Sequence, residues 1–300
     1  MKAYNTVDHI ILSASIFGEY TSCYSKRVRV VNEIKKYLDS LFDNGKNTIL
    51  LHGSYSTGII TNFSDIDIVI ISSSEKPKKS NDIHCADIAR KLSLYIHKID
   101  PLMHHCVDII SDKYFHEYDE SVLPVDTLKK SVILKGDPNL YISTNKKLSI
   151  NNAYNKLINT CNSVLLCNNN LVSRTPYKLK CVISVVLLIP ILFIEAIDGI
   201  FLYKREALKL FEEKYNKFFP LRALGEASRM REEWKTNCIS FAIRRSLFPV
   251  ENFVRSPLWL QRISGVFFPM NVDDYQDFMR QVQSFANSVK CYAESNFKRL

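Results

Sequence analysis

Apolar positions change their period along this chain, and the change predicts two kinds of architecture. Val31, Ile34, Leu38 and Leu41 recur at spacings of 3, 4 and 3, the period of an amphipathic helix. Asp43-Asn44-Gly45 is a natural stop for it. Residues 48–52 (TILLH) are β-branched and apolar and predict a strand; the glycine and serine positions of residues 53–58 (GSYSTG) predict a turn. A second strand is expected over residues 66–71 (IDIVII), followed by a polar loop over 72–82. Residues 83–97 suit a helix that packs Ile88, Leu92 and Tyr95 or Ile96, and residues 106–110 (CVDII) suit a third strand. Together these give a small mixed sheet with helices laid against it.

Past Ser121 the pattern loosens. Residues 128–134 lead into Lys135-Gly136-Asp137-Pro138, and residues 143–152 (STNKKLSINN) are polar without periodicity. A domain boundary is placed there, giving one unit over 1–145 and another over 146–300. The second unit reads as mostly helical, so the fold class expected is α/β plus all-α. Its clearest helix carries Tyr275, Phe278, Val282, Phe285, Val289 and Tyr292 at alternating spacings of 3 and 4, an apolar stripe that suits a core. The longest apolar run, residues 181–194, contains Pro190 and is stopped by Glu195 and Asp198. A bilayer span needs about 20 residues. A kinked core helix, with no membrane partner, is the expectation.

Composition adds little except in its charge. The chain has 300 residues, 46% hydrophobic and 24% charged, which argues against disorder and low-complexity character. Residues 1–150 hold 19 Lys and Arg against 18 Asp and Glu, a net of +1, whereas residues 151–300 hold 21 against 13, a net of +8. A basic second half favours polyanionic partners, although scattered solvated side chains give the same count. The 8 cysteines include no C-x-x-C pair, so zinc spacing is absent. The first twenty residues lack a secretory pattern, and reduced thiols in a cytoplasmic compartment are expected. His104, His105 and Cys106, being adjacent, make a poor chelate and are read as structural. His52 is read as a packing residue.

The chemistry concentrates in residues 51–71 (LHGSYSTGIITNFSDIDIVII). Residues two apart on a strand share a face, so Asp65 and Asp67 are expected to project together while Ile66, Ile68 and Ile70 enter the core. Adjacent acids on a concave face repel and resist desolvation, and a hard cation relieves both costs. Asp108 interrupts the third apolar strand. If that strand lies beside the second, three carboxylates converge on Mg²⁺, and two such ions can activate a hydroxyl and stabilise the leaving oxygen of a phosphoryl displacement. Gly53 would let a phosphate approach the backbone, and the Ser54 hydroxyl with nearby N–H groups could hold terminal phosphates.

Gly53-Ser54, ten intervening residues, Asp65-x-Asp67 and a later third acid resemble the signature of the DNA polymerase beta-type nucleotidyltransferase superfamily. The finer G-S-x-x-x-G and S-D-I-D pattern is similar to the branch that includes streptomycin/spectinomycin adenylyltransferases. Residues 131–141 resemble the segment closing that branch's catalytic domain, and Gly199 to Lys204 resembles the G-x-x-x-x-K start of a helix in its second domain. The resemblance implies a small nucleotidyltransferase domain followed by a helical bundle, with a nucleotide held between them. It implies Mg²⁺, as two ions, on Asp65 and Asp67, with Asp108 joining the metal carboxylates and acting as base on the acceptor hydroxyl. ATP would be the donor, its phosphates contacted by Gly53, Ser54, Ser64 and Lys204, and Asp119 stands where the branch has a nucleotide-contacting acid. Lys204 at a helix start is unfavourable unless an anion lies near. Two departures stand out: Ile191 occupies the place of a phosphate-binding Arg, and the only tryptophans are Trp234 and Trp259.

Recognition of the acceptor is not local in the sequence. Transfer of AMP to a small-molecule hydroxyl ranks first. Because aminoglycosides are polycations that need acidic walls, the basic second half weakens that choice of acceptor. Lys178, Lys180, Arg244, Arg245, Arg255 and Arg262 would suit an RNA end or an acidic protein, which ranks nucleotidylation of RNA or protein, as in a toxin or defence enzyme, second. A catalytically silent nucleotide-binding module ranks third.

Overall fold

The computed structural model of the chain describes residues 5–11, 24–41, 47–72, 79–100, 103, 105, 107–136, 139–167, 176–234 and 272–297. An N-terminal mixed α/β domain is followed by a helical bundle.

The first domain centres on a four-stranded sheet in the order β4-β3-β2-β5, made of β2 (Asn47–His52), β3 (Asp67–Ser72), β4 (Asp108–Ser111) and β5 (Val132–Lys135). β2 runs antiparallel to both β3 and β5, while β4 pairs parallel to β3. Strand alternation sorts the side chains to two faces. Ile49, Leu51, Ile66, Ile68 and Ile70 pack under α1 (Tyr24–Leu41) and α3 (Lys79–Ile99) through Val31, Ile34, Leu38, Ile88, Leu92 and Ile96. Each such fully buried aliphatic side chain contributes about 1.5–3 kcal/mol. Leu50, Val69, Ile71 and Ile110 face the other way, onto Phe115, Tyr118, Leu128, Leu140 and Ile142. A two-stranded ribbon of β1 (Asn5–Ile11) and β6 (Asn139–Asn145) completes the domain; neither strand was legible in the apolar pattern.

Residues 53–58, expected as a turn, form a one-turn helix, α2 (Gly53–Thr57), capped by Gly58. The polar stretch 143–152 is not a loop. It ends β6 and starts α5 (Lys146–Leu165), with the Asn145 side chain accepting from the Leu148 N–H as N-cap. Its Ser149 is fully buried and makes hydrogen bonds in place of apolar contacts, which is why periodicity fails there.

The helical domain continues with α6 (Pro176–Phe193), a π-helical turn (Ile194–Asp198), α7 (Lys204–Tyr215), α8 (Arg222–Glu232) and α9 (Val272–Asn296). Gly199, at φ 63, ends the π turn in the left-handed region, which a β-carbon strongly disfavours. The segment 178–198 is long and apolar enough to cross a membrane, but 61% of its most apolar window is buried inside the protein. It packs against α5, α7, α8 and α9, the arrangement of a core helix, and Pro190 lies within it. The stripe expected on α9 is buried from Tyr275 to Val289, with Tyr292 at its edge. Among the described residues, Cys85, Cys161, Cys167, Cys181 and Cys291 form no disulfide. His104, Cys106, Cys238, Arg244, Arg245, Arg255, Trp259 and Arg262 lie outside the described residues.

Candidate active site

β2 delivers the chain to Gly53, whose φ of 69 lets it turn sharply into α2. Register then does the positioning: His52 pairs with Asp67, so the first residue of β3 stands beside the Gly53-Ser54 corner. A β-carbon on Gly53 would overlap Asp67 Oδ2 and lie 3.2 Å from its Cγ. The glycine therefore leaves room for the Asp67 carboxylate. Asp67 is half-buried, and among the described residues its carboxylate has no hydrogen-bond or salt-bridge partner.

Asp65 precedes β3 and is in a different condition. Lys180, from the first half of α6, places Nζ 2.6 Å from Asp65 Oδ1 and 3.4 Å from Asp100 Oδ2, and 5.4 Å from the centroid of the Phe63 ring. His105 Nε2 lies 3.9 Å from Asp65 Oδ2. Burial alone would push the Lys180 ammonium down, but Asp100 and Asp65 hold its pKa above the ordinary lysine value, so the ion pair is charged. Lys180 is 1% exposed, which corrects its placement among residues available to an RNA. Asp100 has no signal in the sequence beyond closing α3.

Asp108 pairs with Val69 in the parallel ladder. It thus shares the sheet face of Asp67, offset by one strand and two residues, roughly 8 Å between backbones from standard strand spacings. Its side chain is exposed. Among the described residues, no group of three or more His, Cys, Asp or Glu side chains is gathered closely enough to hold a metal ion. The hard oxygens of unpartnered Asp67 do suit Mg²⁺; Asp65 Oδ1 already faces an ammonium.

The second domain brings two cations to this corner. Arg231 of α8 donates from Nη2 to Ser54 Oγ at 3.4 Å, across 177 residues of sequence. Lys204, the first residue of α7, is exposed. Partial loss of water around it pushes its pKa down, and Arg231 pushes the same way, whereas Asp67 and Asp65 pull it up. The α7 start is tied to the first domain: Asp126 Oδ2 accepts from the Tyr203 N–H at 2.7 Å and from Lys130 Nζ at 2.9 Å, and Lys130 Nζ also reaches Glu206 at 3.0 Å. The Thr57 and Tyr203 hydroxyls lie 3.3 Å apart. Arg231, Tyr203 and Asp126 carried no motif, and nothing in the sequence pointed to them.

The remaining expected residues are engaged elsewhere. Ser64 is buried, and its Oγ accepts from the Thr61 N–H at 2.9 Å, shaping the loop before Asp65. Asp119 accepts from Asn152 Nδ2 at 2.7 Å and from the Ser121 N–H at 2.9 Å, bracing the first domain against α5. Near it lies Glu195 on the π turn, buried, with Oε2 unpartnered among the described residues. Burial pushes its pKa up to about 8; Lys156 opposes this and Glu120 and Asp119 add to it. Ile191 is buried and cannot serve a phosphate.

The family model described as a nucleotidyltransferase domain matches residues 31–135. No curated protein matches the chain. The matched span runs from α1 to β5 and contains Gly53, Ser54, Asp65, Asp67 and Asp108. A nucleotidyltransferase-like domain of the polymerase-beta superfamily is present there, without distinction of the aminoglycoside-modifying branch, and Lys204 and Arg231 come from outside it.

Proposed function

We propose that this nucleotidyltransferase-like domain, with the helical bundle closing over it, transfers a nucleoside monophosphate, AMP from ATP, to a hydroxyl of a small-molecule acceptor and releases pyrophosphate. One observation carries the reading. Arg231, from the second domain, donates to Ser54 Oγ at 3.4 Å, and Lys204, exposed at the start of α7, is near enough to feel the charges of Arg231, Asp67 and Asp65. Like charges brought near each other repel, and a polyphosphate arriving between them turns that cost into attraction.

In this reading Ser54, Lys204 and Arg231 hold the β- and γ-phosphates, and the α-phosphorus lies toward Asp67. Mg²⁺ bound at Asp67, with Asp65 beside it, would supply charge neutralisation to the phosphates. Asp108, exposed on the same sheet face, takes the proton of the acceptor hydroxyl. The acceptor oxygen then forms a bond to the α-phosphorus as the bond to the pyrophosphate oxygen breaks, and pyrophosphate leaves with its added negative charge against Lys204 and Arg231. The Asp126 contacts to Tyr203 and Lys130 keep the α7 end in register with the corner.

The test is incubation with α-labelled ATP and a cell extract, followed by separation of RNA, protein and small-molecule fractions. Label in a small molecule other than ATP, ADP or AMP, formed only when the protein is present, supports the proposal. Label in RNA or protein would move the acceptor to that class. Label confined to ATP, ADP and AMP, without protein-dependent pyrophosphate release, would leave a nucleotide-binding module without transfer.

A further inference from the structure

Asp65 is the first carboxylate of the pair expected to gather divalent ions, and it already faces a cation. Lys180 Nζ is 2.6 Å from Asp65 Oδ1, a full charge-assisted hydrogen bond. Asp100 Oδ2 at 3.4 Å and the Phe63 ring, 5.4 Å from Nζ to centroid, occupy further directions around the ammonium. The lysine is 1% exposed, so no solvent stands ready to receive it if it leaves. An Mg²⁺ ion needs oxygen ligands at about 2.0–2.1 Å. Such an ion on Oδ1 would share that oxygen with the ammonium, two cations against one anionic atom. Expelling Lys180 would strip Asp100 and the ammonium of their partner in a buried place. Asp67 differs on each count, with no partner among the described residues and a glycine at its back.

We propose that Lys180 is a resident cation standing in for one of two divalent ions at this site, so that the nucleotide-loaded protein binds a single ion, through Asp67. The proposal rests on the nucleotidyltransferase reading above and adds the source of the second positive charge. The ammonium comes from the helical domain and its carboxylate from the sheet domain, across 115 residues of sequence. The site's charge is therefore complete only when both domains are in contact.

The experiment counts Mn²⁺ bound to the full chain by electron paramagnetic resonance, in the presence of saturating α,β-methylene-ATP. One Mn²⁺ per chain in the wild type and two in Lys180→Met are expected. Two in the wild type would overturn the proposal and leave the functional reading standing. One in both proteins would show that Lys180 does not exclude an ion, and would overturn it too. No binding of the analogue, with or without Mn²⁺, would refute the functional reading itself. Should Lys180→Met not fold, Asp65→Asn and Asp67→Asn decide: Mn²⁺ affinity within about threefold of wild type for Asp65→Asn and at least thirtyfold weaker for Asp67→Asn support the proposal, and a comparable loss in both contradicts it.

Discussion

Gly53→Ala separates the position of Asp67 from the stability of the fold. Two costs arise at Gly53. Its φ of 69 lies where an L-residue pays about 1–2 kcal/mol. The new methyl would also overlap Asp67 Oδ2 and sit 3.2 Å from Cγ, so the carboxylate has to withdraw by about 1 Å to reach ordinary carbon–oxygen contact. Among the described residues Asp67 has no bonded partner to retain it, so rotation of its side chain is the cheap response. The stability loss should therefore stay near 1–2 kcal/mol, read as a lowered urea midpoint at unchanged slope. A misplacement of that size at a reacting centre costs about 100-fold in rate, read by ATP-dependent pyrophosphate release. Activity within threefold of wild type, in protein shown to be folded, would refute the role given to Asp67.

Gly225→Ala is the matched control: a β-carbon there meets nothing within 4 Å inside α8, so urea denaturation should show a gain of about 0.5–1 kcal/mol with pyrophosphate release unaltered. Glu195→Gln probes the buried carboxyl on the π turn. The unfolded chain releases this proton near the ordinary 4.5 and the folded chain near 8. The folded state thus holds more protons between those values, and its stability falls as pH rises through that window and levels off above it. At 1.36 kcal/mol per unit the fall is on the order of 4–5 kcal/mol. Glu195→Gln should be nearly neutral at pH 4.5 and markedly stabilising at pH 8.5; a difference constant across that range would contradict the burial effect.

How much of this was legible in the sequence depended on how local the cause was. Strands β2 and β3 are specified within about twenty residues by alternation, and both formed where the pattern put them, but Asp65, expected on the second strand beside Asp67, stands before it and pairs with Lys180. The corner after β2 was read as a turn because Gly and Ser are turn formers, yet Ser56 Oγ bonds back to the Gly53 carbonyl at 2.9 Å and the segment closes as one helical turn. The start of α5 was lost because Ser149 and Asn152 are spent on Glu120 and Asp119 of the first domain, a use that an apolar period cannot register. Lys180 was misread for a related reason. A lysine in a basic half looks solvated, and only the fold brings Asp65 and Asp100 to it; the one local hint is its place beside the buried Leu179 in an otherwise apolar helix. Arg231 left no hint, since its partner Ser54 is 177 residues away.

The measurement closest to the central claim is calorimetric titration of α,β-methylene-ATP into the wild type and into the Lys204→Ala, Arg231→Ala double variant. Each charged phosphate contact contributes about 1.5–3 kcal/mol, so the pair should weaken binding by at least 100-fold without changing the thermal midpoint by more than a few degrees. Equal affinities in the two proteins would mean that the nucleotide does not lie between these cations and the Gly53-Ser54 corner.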